Sequence, residues 1–273
     1  MLDIEKIFSL PAPGLLRLAN MVILSPHGLL RPYIANYSLA VTASMAKGST
    51  VLPTASNTLV FGVSERAIFS GLRGVNSKAV EIGGYAAGLG WMLLVEVHPG
   101  GLFPCLPIPQ RELRDRAFAW SDLDSDLDGA MGRLLEGVDS TAALAAGLDA
   151  LFLRRLNVTP GQRTVAAAMA MLQGGKDLAT LRAELHYSEK QILRLFHRHV
   201  GTGPKTFSRI LRLKRALALL GRGDLSLERV AWASGYQDGA HFSRDFSALC
   251  GVSPGAYRRK MSLFYNDPFK LEG

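Results

Sequence analysis

Two arginines occupy the same place in two similar segments of this chain. Residues 188–207 read SEKQILRLFHRHVGTGPKTF and residues 238–257 read DGAHFSRDFSALCGVSPGAY, so Arg194 matches Arg244 at an offset of 50. A guanidinium can donate two parallel hydrogen bonds, either to a phosphate or to the O6 and N7 atoms of guanine. The repeated arginine therefore favours a role in nucleic-acid recognition, which requires elements that hold each arginine in place.

The two segments share more than their arginines. Both predict a short helix, a tight turn, a second helix and a Gly-x-x-Pro stop, which is the plan of a helix-turn-helix unit. The further matching pairs are Phe196 with Phe246, Gly201 with Gly251, Pro204 with Pro254, and Phe207 with Tyr257. Repetition of a whole unit favours DNA binding more than one exposed arginine does, because any amphipathic helix turns charge outward.

Local signals predict where the second helix of each unit begins. Ser188 can cap the helix of the first unit, and Gln191, three residues later, can complete a capping box. Asp238 can cap the helix of the second unit. Gly235 suits the left-handed position of the turn, and His186 occupies the same position of the first unit at some steric cost.

Helical spacing gives each of these helices one buried face and one exposed face. The residues expected to pack inward are Ile192, Leu195 and Phe196 in the first unit and Phe242, Phe246 and Leu249 in the second. The residues expected on the open faces are Lys190, Gln191, Leu193, Arg194, His197 and Arg198, and then Gly239, Ala240, Ser243 and Arg244. Such a helix fits the major groove of DNA. Gln191 could serve only as a cap, and His241 could close the turn or reach a phosphate.

Positive charge is concentrated in the same half of the chain. The formal net charge is +8 over 273 residues. Residues 161–273 hold 18 Lys and Arg against 9 Asp and Glu, whereas residues 1–160 hold 13 against 14. A basic C-terminal part favours a polyanionic partner, and the repeated motif makes double-stranded DNA the expected one. On charge alone, an anionic membrane surface and a plain soluble basic domain are alternatives.

The sequence gives little support for a disulfide-rich protein, a metalloprotein, an enzyme or a membrane protein. Cys105 and Cys250 lie far apart, without a CxxC or Cys/His cluster for a disulfide framework or a structural zinc. Glu96 and His98 would share a strand face, but a third ligand is not visible, so we expect no metal, no cofactor and no enzyme activity. The sequence shows neither an apolar run of membrane-spanning length nor a signal-peptide core, so a cytoplasmic protein is expected.

The first half of the chain predicts a β-rich domain. Its short apolar runs predict strands at Thr58–Val63, Ala67–Leu72, Ala79–Gly83 and Trp91–Val97, and such a series suggests a sandwich or a small barrel. Two amphipathic helices follow, over Ser121–Glu136 and Thr141–Leu156, and they either pack on the barrel or form a dimer surface. We interpret four aromatic residues as core rather than as the lining of a ligand pocket: Phe61, Phe69, Tyr85 and Trp91.

A Pro/Gly break at residues 157–162, NVTPGQ, coincides with the change in charge, and we predict a domain boundary between residues 160 and 161. The expected fold is α+β, with a β-rich domain over residues 1–160 and an all-α domain over residues 161–273. The seven helices predicted for the second domain are Val165–Leu172, Leu178–Leu185, Ser188–Val200, Pro204–Leu220, Leu227–Ala233, Gly239–Leu249 and Pro254–Met261.

From about Val165 to Lys260 the sequence closely resembles the AraC/XylS family of bacterial transcription regulators. The resemblance is strongest in GYQDGAHFSRDFSALCGVSPGAYRR, which follows the family signature nearly throughout. Departures are modest: Arg182 and His186 stand where the family usually has Ala and Gly, and Cys250 replaces the usual aromatic. The segment LLVEVHPGGLFPCLPIPQREL is similar to a cupin-like group of sensor domains, which implies a β-barrel effector domain followed by helices that often mediate dimerisation.

The resemblance also implies roles for individual residues. The base contacts of the family map onto Lys190, Leu193 and Arg194, with Gln191 beside them, and onto Gly239, Ala240, Ser243 and Arg244. Phosphate contacts are expected from Arg198, Lys205, Arg209 and His241. Gly239 and Ala240 carry no hydrogen-bonding side chain, so the second unit would read fewer bases, or a thymine methyl through Ala240. The helix from Pro204 to Leu220 resembles the rigid linker of the family, which would place two recognition helices in successive major grooves about 34 Å apart.

The expected function is that of a sequence-specific DNA-binding transcription regulator. It would read two adjacent major grooves, be modulated by its N-terminal domain and form a homodimer. One alternative is a non-specific architectural DNA-binding protein, which a competition between operator and random DNA would distinguish. The other is an enzyme with a DNA-binding appendage, and the lack of a convergent acid, base or metal set in residues 1–160 argues against it.

Overall fold

The computed structural model of the protein describes residues 15–18, 21–41, 50–64, 68–81, 90–260 and 264–265. An antiparallel sheet occupies the first part of these residues, and the region that follows Thr159 is helical up to Arg259. No helix among the described residues is long and apolar enough to cross a membrane. The fold is therefore mixed helix and sheet, with the two kinds of structure largely separated along the chain.

The strands within the described residues are β1 (Leu15–Leu18), β2 (Met21–Leu24), β3 (Ile34–Val41), β4 (Thr50–Val51), β5 (Thr58–Val63), β6 (Ile68–Arg73), β7 (Val80–Glu81), β8 (Trp91–Val97), β9 (Ala117–Ala119) and β10 (Phe264–Tyr265). The larger sheet has the order β1-β2-β3-β8-β5-β6-β9, and each neighbouring pair in it is antiparallel. Strands β10, β4 and β7 form a small second sheet, in which β10 runs parallel to β4.

Strand β8 lies at the centre of the larger sheet because it pairs with both β3 and β5. All of its residues are buried. Leu93 and Val95 face an apolar core that Phe61 of β5 also joins. The predicted strands Thr58–Val63 and Trp91–Val97 are confirmed at both ends.

The helices between the sheet and Pro160 are α1 (Gln110–Leu113), α2 (Trp120–Leu123), α3 (Ser125–Gly137) and α4 (Thr141–Leu153). Helices α3 and α4 pack on the core face of the larger sheet through residues such as Leu127 and Leu148. The helix predicted over Ser121–Glu136 is broken at Asp124, whose side chain accepts a hydrogen bond from the Leu127 amide and so caps α3. Packing on the sheet, one of the two roles considered for these helices, is therefore observed.

The helices that follow are α5 (Pro160–Gln173), α6 (Leu178–Leu185), α7 (Glu189–His199), α8 (Pro204–Arg222), α9 (Leu227–Ala233), α10 (Gly239–Cys250) and α11 (Pro254–Arg259). They enclose two apolar cores. One core includes Phe196 of α7 and Phe207 of α8, and the other includes Phe246 of α10 and Tyr257 of α11. Helix α8 contributes to both cores, so it joins two compact helical units.

Several predicted bounds differ from the observed ones. Helix α5 begins before the predicted Val165, because Thr159 caps it and Pro160 fits its first turn. Strand β6 ends at Arg73 rather than Leu72, and β7 covers only Val80–Glu81 of the strand predicted there. The predicted positions that lie outside the described residues are Ala67, residues 82–83, Tyr85 and Met261.

Candidate nucleic-acid interface

The first helix-turn-helix unit consists of α6, a turn and α7. The turn passes through His186, which has a φ of 57° and so adopts the predicted left-handed conformation. Ser188 Oγ accepts a hydrogen bond from Gln191 N at 3.3 Å, and Gln191 Oε1 accepts one from Ser188 N at 2.8 Å. These two bonds are the predicted capping box, so the capping role considered for Gln191 is the one it has here.

Helix α7 separates its two faces nearly as predicted. Ile192 and Phe196 are buried, and Leu195 is partly buried in the same core. The exposed residues are Lys190, Gln191, Leu193, Arg194 and Arg198, whereas His197, also expected to be exposed, is partly buried. Leu193 is 42% exposed, which places a large apolar side chain in water beside Arg194. This pair suits the edges of bases, where thymine offers a methyl group and guanine two acceptors.

The second unit repeats the arrangement with α9, a turn and α10. Gly235 in the turn has a φ of 85°, a conformation that glycine adopts without strain. Asp238 caps α10 by accepting a hydrogen bond from His241 N at 2.6 Å. Both features were predicted, and both depend only on residues close together in the sequence.

Aromatic rings lie behind the open face of α10. The Phe242 and Phe246 rings have centroids 5.5 Å apart, and Phe246 and Tyr257 are separated by the same distance, each pair in an edge-to-face arrangement. Such pairs add stability beyond the area they bury. The exposed residues on the other side of the helix are Gly239, Ala240, Ser243 and Arg244. The buried rings thus support a helix that presents Arg244 to solvent.

Two of the expected phosphate contacts lie in the last turn of the first unit and just after that unit. Lys205 is exposed in the first turn of α8. Arg198 is exposed in the last turn of α7, with its guanidinium carbon 5.5 Å from the centre of the Phe103 ring. Both cations are therefore placed where they can approach a polyanion next to α7.

The other two expected phosphate contacts have partners within the second unit. Arg209 forms an ion pair with Asp245 at 2.6 Å. The His241 ring lies edge-on against Tyr236 with centroids 5.3 Å apart, and its Nδ1 atom is buried without a hydrogen-bond partner. Packing within the unit is therefore the contact that the structure gives His241.

The last turn of α7 packs against the N-terminal part of the chain. The Phe103 and His199 rings have centroids 4.2 Å apart. His199 Nδ1 lies 2.8 Å from Gln162 Oε1, while Gln162 Nε2 donates to the Gly100 carbonyl oxygen at 2.8 Å. Burial, with the charge of Arg198 as a smaller cause, lowers the pKa of His199 from 6.5 to about 4. The imidazole is therefore neutral near pH 7, and Nδ1 carries its proton in this arrangement.

The N-terminal part also contacts the second unit. The Ala79 amide donates a hydrogen bond of 2.8 Å to the carbonyl oxygen of Leu249, in the last turn of α10. Leu52 is buried in the same apolar core as Leu249. No local pattern in the sequence marks these contacts or those of Phe103, because the residues that meet are far apart along the chain.

Within the described ranges, no group of three or more His, Cys, Asp or Glu side chains is placed to hold a metal ion. Cys105 and Cys250 are buried thiols, and burial raises the pKa of each to about 12. They therefore behave as small apolar residues. Phe61 and Trp91 lie in the core, as expected, whereas Phe69 is exposed.

Comparison with known proteins points to the same region. Residues 181–260 match a family model described as a helix-turn-helix domain. The chain is 40% identical over 73 residues to the HTH-type transcriptional regulator GlxA of Rhizobium meliloti, covering 27% of this chain and 22% of GlxA. It is 34% identical over 83 residues to the HTH-type transcriptional regulator CdhR of Pseudomonas aeruginosa, covering 30% of this chain and 25% of CdhR. The chain thus matches about a quarter of the length of these curated relatives.

Solved structures are also similar to this chain. An apo variant of ToxT from Vibrio cholerae aligns with 82% of this chain and 97% of its own, at 11% identity and a TM-score of 0.43. The DNA-binding domain of the transcriptional factor AdpA, solved with a target DNA, aligns with 37% of this chain and 90% of its own, at 30% identity and a TM-score of 0.32.

Proposed function

We propose that this chain, whose residues 181–260 form an AraC-type helix-turn-helix domain, is a sequence-specific DNA-binding transcription regulator. The observation that carries the proposal is the pair of matched units. Each unit holds an exposed arginine, Arg194 or Arg244, on a helix whose other face is buried aromatic core. If the exposed arginines were only solvated surface charge, the same arrangement of exposed arginine and buried aromatic face would not be expected in both units.

In this proposal α7 and α10 are recognition helices that enter two adjacent major grooves. Arg194 and Arg244 each bind a guanine through two hydrogen bonds, and Leu193 packs on a thymine methyl. The other residues that we assign to base contacts are Lys190, Gln191, Gly239, Ala240 and Ser243. Gln191 reaches DNA only through its amide nitrogen, because its oxygen caps α7.

Helix α8 spaces the two recognition helices. Its 19 residues span about 28 Å at 1.5 Å each, which is comparable with the repeat of about 34 Å between successive major grooves on one face of DNA. We assign phosphate contacts to Arg198, Lys205, Arg209 and His241. Arg209 has five donors, so it can reach a phosphate while it also binds Asp245. These contacts add affinity and salt dependence without sequence information.

We further propose that residues 1–160 form a cupin-like sensor and dimerisation domain and that residues 161–273 form the DNA-binding domain. The sheet with α3 and α4 packed on it, and the two mainly helical cores that follow, support this division, although Leu52, Ala55 and Val75 also contribute to those later cores. The contacts of Phe103 with His199 and of Ala79 with Leu249 provide a route by which the first domain modulates the second. The solvent-facing sides of α3 and α4 are the proposed homodimer surface, and no catalytic role is proposed.

The test is a selection of bound fragments from a random DNA library by the full-length protein. Anisotropy titrations then compare a selected fragment with a scrambled one at the same salt concentration. A specific regulator is expected to prefer the selected fragment by about a thousandfold or more. Nearly equal affinities would instead identify a non-specific architectural DNA-binding protein.

A further inference from the structure

A carboxylate is buried within the second recognition helix. Asp245 lies between Arg244 and Phe246, and its side chain is 8% exposed. The Nε and Nη2 atoms of Arg209 approach Asp245 Oδ1 at 2.7 and 2.6 Å, and the Tyr236 hydroxyl donates to Oδ2 at 3.3 Å. Both oxygens of the buried carboxylate therefore have donors. We call Asp245, Arg209 and Tyr236 the Asp245 cluster.

The cluster joins three different elements. Arg209 belongs to α8, Tyr236 to the turn before α10, and Asp245 to α10 itself. Tyr236 has two further contacts, with the Arg212 guanidinium carbon 5.3 Å from its ring centre and the Phe242 ring 5.1 Å away. The second recognition helix is thus attached to the linker helix by charged and polar contacts as well as by apolar packing.

These contacts fix how α10 is rotated about its own axis. Successive residues of a helix point about 100° apart, so a side chain held toward α8 at position 245 fixes the direction of position 244 at about 100° from it. Apolar burial is non-directional and tolerates small rotations, whereas hydrogen bonds between charged groups have a preferred geometry. Arg244 therefore keeps one direction relative to α8.

The first unit holds its recognition helix differently. At the offset of 50, Asp245 corresponds to Leu195, a partly buried apolar residue that cannot form such contacts. The last turn of α7 packs through His199 against the Phe103 ring. The Asp245 cluster is therefore specific to the second unit rather than a requirement of the helix-turn-helix plan.

We propose that Asp245 is a positioning residue for base recognition by Arg244, and that Arg209 and Tyr236 hold it in place. Asp245 acts through Arg244 and does not itself touch DNA, because its carboxylate is buried and occupied. This inference rests on the proposed function, since it requires a preferred DNA sequence.

The test compares the full-length protein with Asp245→Asn, Arg244→Ala and the double variant on DNA selected by the unaltered protein. The base pair read by Arg244 is the one whose substitution weakens binding of the unaltered protein but not of Arg244→Ala. Asp245→Asn is expected to reduce discrimination at that base pair by about threefold or more and to leave the half-site of the first unit unchanged. The double variant is expected to discriminate like Arg244→Ala alone.

If a thermal melt shows that Asp245→Asn is not folded, two further variants test the same proposal. Tyr236→Phe removes only the 3.3 Å hydrogen bond, and Arg209→Lys keeps the charge but loses the planar fork. Each is expected to lose part of the discrimination at the same base pair. Equal losses in both half-sites, or unchanged discrimination in folded variants, would overturn the positioning role. If the unaltered protein prefers no sequence at all, the proposed function itself is wrong.

Discussion

Replacing Arg244 by alanine separates base reading from folding in the second unit. Arg244 is exposed, while its neighbours Asp245 and Phe246 are buried. Loss of a bidentate contact with guanine is expected to weaken operator binding by about 1–3 kcal/mol, a factor of about 5 to 150 in Kd. Because the side chain is exposed and alanine favours helix, the free energy of unfolding is expected to change by less than about 0.5 kcal/mol.

Two measurements and one matched control variant test this prediction. Anisotropy titrations of labelled operator at fixed salt give Kd, and urea unfolding followed by circular dichroism gives stability. Arg222→Ala removes the same charge from an exposed position in the last turn of α8, where Arg222 pairs with Asp224 at 3.6 Å. The control is expected to weaken binding slightly and equally for operator and random DNA, because it removes only long-range attraction.

The expected signature of Arg244→Ala is selective. The variant should lose affinity for the operator with the preferred base pair and lose little for an operator already substituted there. Arg194→Ala should behave in the same way in the other half-site. A loss of the same size on every DNA sequence would mean that Arg244 contacts phosphate, and it would refute the base-reading assignment.

Three further predictions concern stability. His199 is 3% exposed, and its pKa is about 4 instead of 6.5. Its contribution to the free energy of unfolding is therefore fully present above pH 6.5 and falls by about 3 kcal/mol as the pH drops toward 4. Urea titrations of His199→Gln should lack this part of the pH dependence. His186→Gly, at a φ of 57°, should raise the free energy of unfolding by about 0.5–1 kcal/mol, whereas Gly235→Ala, at a φ of 85°, should lower it by at least as much, as thermal melts would show. Asp238→Ala removes the cap of α10 and should lower unfolding stability by about 1 kcal/mol in the same melts.

The features that the sequence predicted well are those that neighbouring residues determine. The capping box of Ser188 and Gln191, the cap at Asp238 and the left-handed turns at His186 and Gly235 all involve residues a few positions apart. Such interactions do not depend on how distant segments meet. The starts of α7 and α10 could therefore be predicted before any tertiary contact was known.

The strands that were not predicted from the sequence depend on contacts that local patterns do not reveal. β3 contains Asn36 and Ser38 among its apolar residues, which breaks the apolar run expected of a fully buried strand. Both polar side chains are nevertheless buried, and Ser38 Oγ donates to Asn36 Oδ1 at 2.6 Å. Because the polar groups satisfy each other inside the sheet, they do not mark a solvent-exposed face, and the local pattern is misleading.

The burial of Asp245 was not predicted for a related reason. Helical spacing places position 245 on the same face as Phe242 and Phe246, but an acidic residue is rarely buried without a partner, and Arg209 lies 36 positions away in the sequence. The two helices must first pack before the pair can form. Charged residues that are buried by distant partners are therefore the part of this site that sequence reasoning cannot reach without the fold.

The N-terminal part contacts α7 and α10 in their last turns, whereas the proposed base contacts lie in the first half of each helix. Phe103 meets His199 in the last turn of α7, and Ala79 meets Leu249 in the last turn of α10. Lys190 and Arg194, like their counterparts in the second unit, lie in the first half of their helix and are exposed. The N-terminal part therefore holds both helices without covering the faces that would read DNA. Besides its proposed role in dimerisation, that part can then act on binding by moving the helices relative to each other, and measured discrimination in each half-site should respond to substitution of Phe103 even though no DNA-facing residue has changed.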